Sequence, residues 1–276
     1  MKICYLGYDF FYSCLEQVLN LKDIEVLKVF TFKTDNKYNF NYNIVKLAKE
    51  NNIPIQYTRI TKEDIEELIN EGCELLVCAG YEYKIPVFPE NKIKEINIHP
   101  TLLPIGRGPW PLPYIILKNL KSSGVTIHKI SKEMDKGDIL IQREFEVQTN
   151  EDIETISCKS QMIAKELLIE LIKNLDYYYE NATIQSEGEY WHFPTIEEMT
   201  FTGEMTIDEI YRIVRAYGKM DSVVYIDGEE ILVHDINYWR EKHNYKLGEI
   251  VHKTNKEYVM AVADGFIVLR YFEKEE

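Results

Sequence analysis

Apolar and polar positions follow two different periods along the first half of the chain, and the switches between them predict its elements. KICYL (2–6) and IEVLKVF (24–30) are aliphatic and β-branched over strand-like lengths, whereas residues 10–20 place apolar side chains at helical spacing. The same reading predicts a helix over 41–51, a strand at IPIQY (53–57), a helix over ITKEDIEELIN with Thr61 as N-cap, and a buried strand at ELLVCAG (74–80). Strands alternating with helices build parallel βαβ units. The expected fold class is therefore α/β, a Rossmann-like, mostly parallel sheet with helices on both faces. GVTIHKI (124–130) and DILIQREFEV (138–147) predict two more strands joined through SKEMDKG, and a long amphipathic helix follows over 151–177.

Periodicity fades over 178–206, where turn formers and aromatics crowd together. This predicts a larger domain over 1–195 and a small β-rich subdomain over 196–276. The subdomain opens with a helix, IDEIYRIVRAYG, followed by the strand candidates VVYI, EILVHDI, LGEIVHK, EYVMAV and GFIVLRYF. Asp-Gly pairs at 227–228 and 264–265 predict two hairpin turns.

Composition narrows the partners. The chain is 45% hydrophobic and 28% charged, with no apolar run near the roughly 18 residues a membrane span needs. Its N-terminus lacks the apolar core of a signal peptide, so a cytoplasmic location with no membrane partner is expected. A formal charge of −14 disfavours nucleic acid, whose binding draws on Lys and Arg. The five cysteines form no CxxC pair and the histidines lack ligand spacing, so no metal site is expected. Gly7 stands alone in GYDFF; without GxGxxG after the first strand, a nicotinamide cofactor is not expected either.

The candidate chemistry lies in INIHPTLLPIGRGPWPLP (96–113). Strand alternation puts Ile96 and Ile98 on one face and Asn97 and His99 on the other, at the carboxyl end where open parallel sheets bind ligands. An amide that donates and an imidazole that moves protons are what acyl transfer requires. Taken alone, the pair also fits a capped strand end or a satisfied core pair. An orienting carboxylate is expected from Asp135, 36 residues after His99, on a loop taken to leave a strand on the same side. The prolines predict a stiff loop that pairs with nothing, and the glycines a close backbone approach to a ligand. Arg107 suits a phosphate clamp or a carboxylate partner, His128 a lining or structural role, and Trp110 packing or stacking.

NIHPTLLP, then Arg107-Gly108, GVTIH and MDKGDI, together resemble the folate-dependent formyltransferases over about residues 1–195. The resemblance implies that Asn97, His99 and Asp135 are catalytic and that 10-formyltetrahydrofolate is the donor. It places the pteridine against the main chain of AGYEYKIP (79–86), with Tyr83, Lys84 and Ile85 on the folate-contacting turn, and Arg107, Gly108 and Trp110 at the acceptor. The acceptor it implies is the amine of a dTDP- or UDP-linked amino-deoxysugar, because residues 196–276 are acidic and GRGPWP follows the leucine-proline as in the sugar branch. The tail is similar to that of tRNA and aminoarabinose formyltransferases, so methionyl-tRNA formylation is the alternative. A non-catalytic folate-binding or Pro-rich-loop interaction protein is the third, and a homodimer is left open.

Overall fold

The computed structural model describes residues 1–34, 40–220 and 222–270. They fall into two compact units that are not contiguous in the chain: Met1–Gly108, Ser122–Glu146 and Ser157–Trp191 in the first, and Pro109–Lys121, Val147–Ile156 and His192 onward in the second.

The first unit begins β1 (Lys2–Gly7), α1 (Tyr12–Leu19), β2 (Glu25–Phe30), α2 (Tyr42–Glu50), β3 (Ile55–Gln56), α3 (Lys62–Asn70), β4 (Leu75–Ala79) and β5 (Lys94–His99). Helix α3 starts where predicted: Thr61 Oγ1 accepts from Asp64 N while the Asp64 carboxylate accepts from Thr61 N, a reciprocal capping box. Next come β6 (Ile105–Arg107) and α4 (Leu112–Leu117), the latter in the second unit, then β7 (Ser122–Lys129) and β8 (Ile139–Glu146). Strand order is β3-β2-β1-β4-β5-β7-β8, parallel from β3 to β5 and antiparallel at β5–β7 and β7–β8. Central β4 is buried along its whole length, as its unbroken apolar run requires. Ile96 and Ile98 pack on one face with Tyr5, Ile44, Val77 and Leu168, while Leu6, Phe30, Ile65 and Cys78 form the core of the other.

Three expectations for this half change. The helix foreseen over 151–177 is interrupted at Asn174, giving α5 (Ile153–Lys173) and α6 (Leu175–Glu180). The proline-rich stretch does pair: β6 lies parallel to a two-residue strand, β9 (Glu189–Tyr190). Its later prolines enter α4, where Pro113 falls in the first turn and lacks only an N–H that no intrahelical bond needs.

The second unit adds α7 (Ile196–Met199) and α8 (Ile207–Tyr217), then β10 (Ser222–Ile226), β11 (Glu229–Val233), β12 (Asp235–Arg240), β13 (Ile250–Lys253), β14 (Glu257–Val262) and β15 (Gly265–Arg270). Strands β10 and β11 form a hairpin, and the others a sheet ordered β12-β15-β14-β13. Ile207, Ile210 and Val214 of α8 pack with Val224, Ile236, Met260 and Ile267. Asp227 and Gly228 both take positive φ, 53° and 85°, the turn predicted there. At the second Asp-Gly, Val262 pairs with Gly265, so Ala263 and Asp264 form the turn and the glycine opens β15. EILVHDI is split at His234 between two sheets. Residues 271 and 272 of the last strand candidate, and the closing EKEE, lie outside the described residues.

Candidate active site

Asn97 and His99 leave β5 on the face opposite Ile96 and Ile98, and His99 is 4% exposed. Because β7 runs antiparallel to β5, His128 lies directly opposite Asn97. That direction also corrects the expected path to Asp135, since the chain leaves β7 beside Ile96 and not beyond His99. The 130–138 loop folds back, tied by Ile130 N to the Glu95 carbonyl and by Lys129 N to that of Asp138. Asp135 sits in it with φ of 53° and 9% exposure.

There Asp135 Oδ2 accepts from Gly108 N at 2.9 Å, and Oδ1 accepts from Asn97 Nδ2 at 3.3 Å. Oδ1 also lies 3.7 Å from His99 Nδ1 and 3.6 Å from His128 Nε2. The remaining ring atoms fix the tautomers, because a carbonyl only accepts. His99 Nε2–H donates to the Gly106 carbonyl at 2.7 Å, leaving the Nδ1 lone pair toward Asp135. His128 Nδ1–H donates to the Lys129 carbonyl at 2.8 Å, so its Nε2 accepts from Asn97 Nδ2 at 3.1 Å.

Burial pushes Asp135 up, but the charge on His99, the His128 ring and the Gly108 N–H outweigh it and hold the carboxyl well below its ordinary range. Burial lowers His99 more than Asp135 raises it. An ionised carboxylate therefore faces a neutral imidazole with a free nitrogen, an arrangement that can accept a proton and stabilise it.

The other predicted residues are placed as follows. Arg107 is 7% exposed; its Nε and Nη2 donate to Gln185 Oε1 at 3.1 and 2.8 Å, and Nη2 also to the Ser186 carbonyl at 2.9 Å. Gly106 and Gly108 take positive φ, and a Cβ on them would meet the Trp191 ring at 2.6 Å and the Trp191 carbonyl at 1.9 Å. The close approach these glycines permit here is to the chain's own 189–191 segment. Ile85 is buried in the core, Lys84 is exposed, and the Tyr83 ring meets Tyr81 and Phe32 edge-on. Among the described residues no bond between main-chain groups engages Glu82 to Val87; the Lys84 carbonyl accepts from Arg59 Nη2 at 3.4 Å, and other main-chain groups of the turn could meet a planar heterocycle's edge, as a pterin would require. Trp110 belongs to the second unit, its ring 5.4 Å from Phe193 and 6.2 Å from Tyr217. Sequence reasoning missed Gln185, which carries no motif, and undervalued His128, whose contact with Asn97 depends on the β5–β7 register.

Residues 16–172 match the model of a family described as formyl transferase, more than half of the chain. The chain belongs to the formyl transferase family. Among relatives, methionyl-tRNA formyltransferase of Ehrlichia chaffeensis is 33% identical over 187 residues, 64% of this chain and 62% of that one, so the match spans less than two thirds of its length. The Lactobacillus johnsonii methionyl-tRNA formyltransferase is 26% identical over 96% of this chain and 87% of its own. An N-formyltransferase from Helicobacter canadensis, solved with folinic acid and dTDP-3-aminofucose, shares the fold at a TM-score of 0.69 and 19% identity, covering 98% of this chain and 99% of that one. HypX from Aquifex aeolicus, solved with tetrahydrofolic acid, does so at 0.69 and 21%, covering 98% of this chain but 43% of its own. Among the described residues no helix is long and apolar enough to cross a membrane.

Proposed function

We propose that this formyltransferase moves a formyl group from 10-formyltetrahydrofolate to the amine of a dTDP- or UDP-linked amino-deoxysugar, with Asn97, His99 and Asp135 as its catalytic residues. The observation that carries the reading is the convergence of those three side chains at one end of β5. The donor, when bound along residues 79–86, supplies an activated formyl carbon. Asn97, whose Nδ2 is 3.1 Å from His128 Nε2 and 3.3 Å from Asp135 Oδ1, donates an amide N–H toward the charge developing on the formyl oxygen. As the amine nitrogen bonds to the formyl carbon, His99 Nδ1 takes the amine's proton, ionised Asp135 stabilises the imidazolium that results, and the proton passes to the folate nitrogen as its bond to the formyl carbon breaks. Removing one oxyanion donor typically costs about 10²–10³ in kcat.

Charge supports the small acceptor: residues 196–276 hold 17 Asp and Glu against 10 Lys and Arg, a poor complement to polyphosphate. The second reading, methionyl-tRNA, has two observations in its favour. The Lactobacillus johnsonii relative is similar over nearly the whole chain, and Trp239 and Tyr245 are exposed near Lys242 and Lys246, a pairing that suits nucleotide stacking. Incubation with 10-formyltetrahydrofolate and a panel of dTDP- and UDP-linked amino-deoxysugars, in parallel with initiator methionyl-tRNA, decides between them. The expected product is a sugar formamide; formylation of the tRNA alone rejects the proposed acceptor, and turnover of neither favours the non-catalytic alternative.

A further inference from the structure

We infer that Gln185, anchored by Arg107, is a positioning residue that sets Asp135 against His99 and Asn97, and that Arg107 is part of this clamp and not a binder of substrate phosphate. The inference rests on the role proposed above for Asp135.

Asp135 adopts a left-handed conformation that a non-glycine residue keeps only when its surroundings over-determine it. Its side chain is tied only on the side facing the site, by Gly108 N and Asn97 Nδ2. The restraint comes from behind. Gln185 Nε2 donates to the Asp135 carbonyl at 2.9 Å and to the Gly137 carbonyl at 2.6 Å, fastening the main chain on both sides of Lys136. Gln185 Oε1 accepts twice from Arg107, which also holds the carbonyl of Ser186, so the amide is fixed at both ends and cannot flip.

The segment carrying Gln185 is itself laid across the site's two loops. Thr183 exchanges both main-chain bonds with Ile139 at 2.8 Å, just after the Asp135 loop. At its other end Glu189 N donates to the Pro104 carbonyl and Trp191 N to that of Arg107, beside the loop that provides Gly106 and Gly108. Residues 183, 184 and 186–190 are exposed while Gln185 is turned inward, so this segment contributes one side chain to the site's underside. Glycine is required where the strap crosses: a Cβ on Gly188 would meet the Pro104 carbonyl at 2.1 Å, and one on Gly108 the Trp191 carbonyl at 1.9 Å.

Four variants test the clamp: Gln185→Ala, Gln185→Glu, Arg107→Ala and Arg107→Lys. A misplaced carboxylate should lower kcat by about 100-fold in Gln185→Ala with KM for donor and acceptor within about threefold of the parent. Gln185→Glu keeps the Arg107 pairing but turns an oxygen that cannot donate toward two carbonyls; it should lose kcat as Gln185→Ala does. Arg107→Lys, retaining a cation without the fork, should recover part of what Arg107→Ala loses. A second readout needs no acceptor, which separates failure of the clamp from failure of the acceptor assignment: the His99 ring titration, followed by ¹⁵N NMR in the unliganded protein. With Asp135 released, His99 loses its attraction and should titrate at lower pH in Gln185→Ala and Arg107→Ala. An unchanged His99 titration in both overturns the inference, as does an Arg107→Ala enzyme with parental kcat and a raised acceptor KM.

Discussion

Asn97 carries two amide protons, and the structure directs both onto neighbours that only accept, His128 Nε2 and Asp135 Oδ1. This makes Asn97→Asp more severe than its size suggests. The substitution removes the oxyanion donor, sets an oxygen against the His128 lone pair, and brings two carboxylates close enough that both cannot ionise. Turnover should fall by about 10²–10³, and the acid limb of the kcat profile should move to higher pH as the pair retains a proton. A near-parental rate with an unmoved profile would remove Asn97 from the proposed mechanism. Strand alternation was enough to place Asn97 and His99 on one face. The geometry of Asp135 was not legible that way: it depends on a left-handed residue in a loop that doubles back, and on a glutamine 50 residues later in sequence.

Local signals wrote the elements they govern. The Thr61 box is an instance, because cap, acidic third residue and apolar spacing all lie within one turn of α3. Thr61→Ala should cost about 1 kcal/mol, read as a lower urea midpoint at constant m-value with formyl transfer unaffected; a loss of activity without loss of stability would mean that α3 does more than hold the sheet. Elements with little local signal were lost. Helix α4 has prolines at its start and six residues, and the β6–β9 pair is a two-residue ladder closed across some 80 residues of chain. The break at His234 has the same origin, since EILVHDI is continuous in pattern and divides only because β11 pairs with β10 while β12 pairs with β15.

For the molecule as a whole, alternation of pattern gave the fold class, but grouping of residues 109–121 and 147–156 with the C-terminal residues is a long-range property that composition does not carry. Buried charge is another such property. Glu95 is 4% exposed on β5; its Oε2 accepts from Phe88 N at 2.9 Å, its Oε1 has no partner among the described residues, and Tyr179 closes over its main chain. Burial, only partly offset by the Phe88 N–H, raises its carboxyl to about 7. A carboxyl raised by folding favours the folded state fully below its unfolded value near 4.5; that advantage declines as pH climbs toward 7, where the folded protein must ionise it too. At about 1.4 kcal/mol per pH unit the decline amounts to about 3 kcal/mol. Asp135 acts with the opposite sign in a separate window, its contribution present above the ordinary carboxyl range and lost as pH falls below about 4. His99, lowered by burial, opposes this decline below its ordinary value of 6.5, so it is from pH 6.5 to 8 that urea unfolding should show stability falling with pH in the parent. Glu95→Gln, which mimics the protonated carboxyl, should flatten that slope and be more stable than the parent at pH 8. If the slope persists in Glu95→Gln, its source is another group and the buried carboxyl does not govern it.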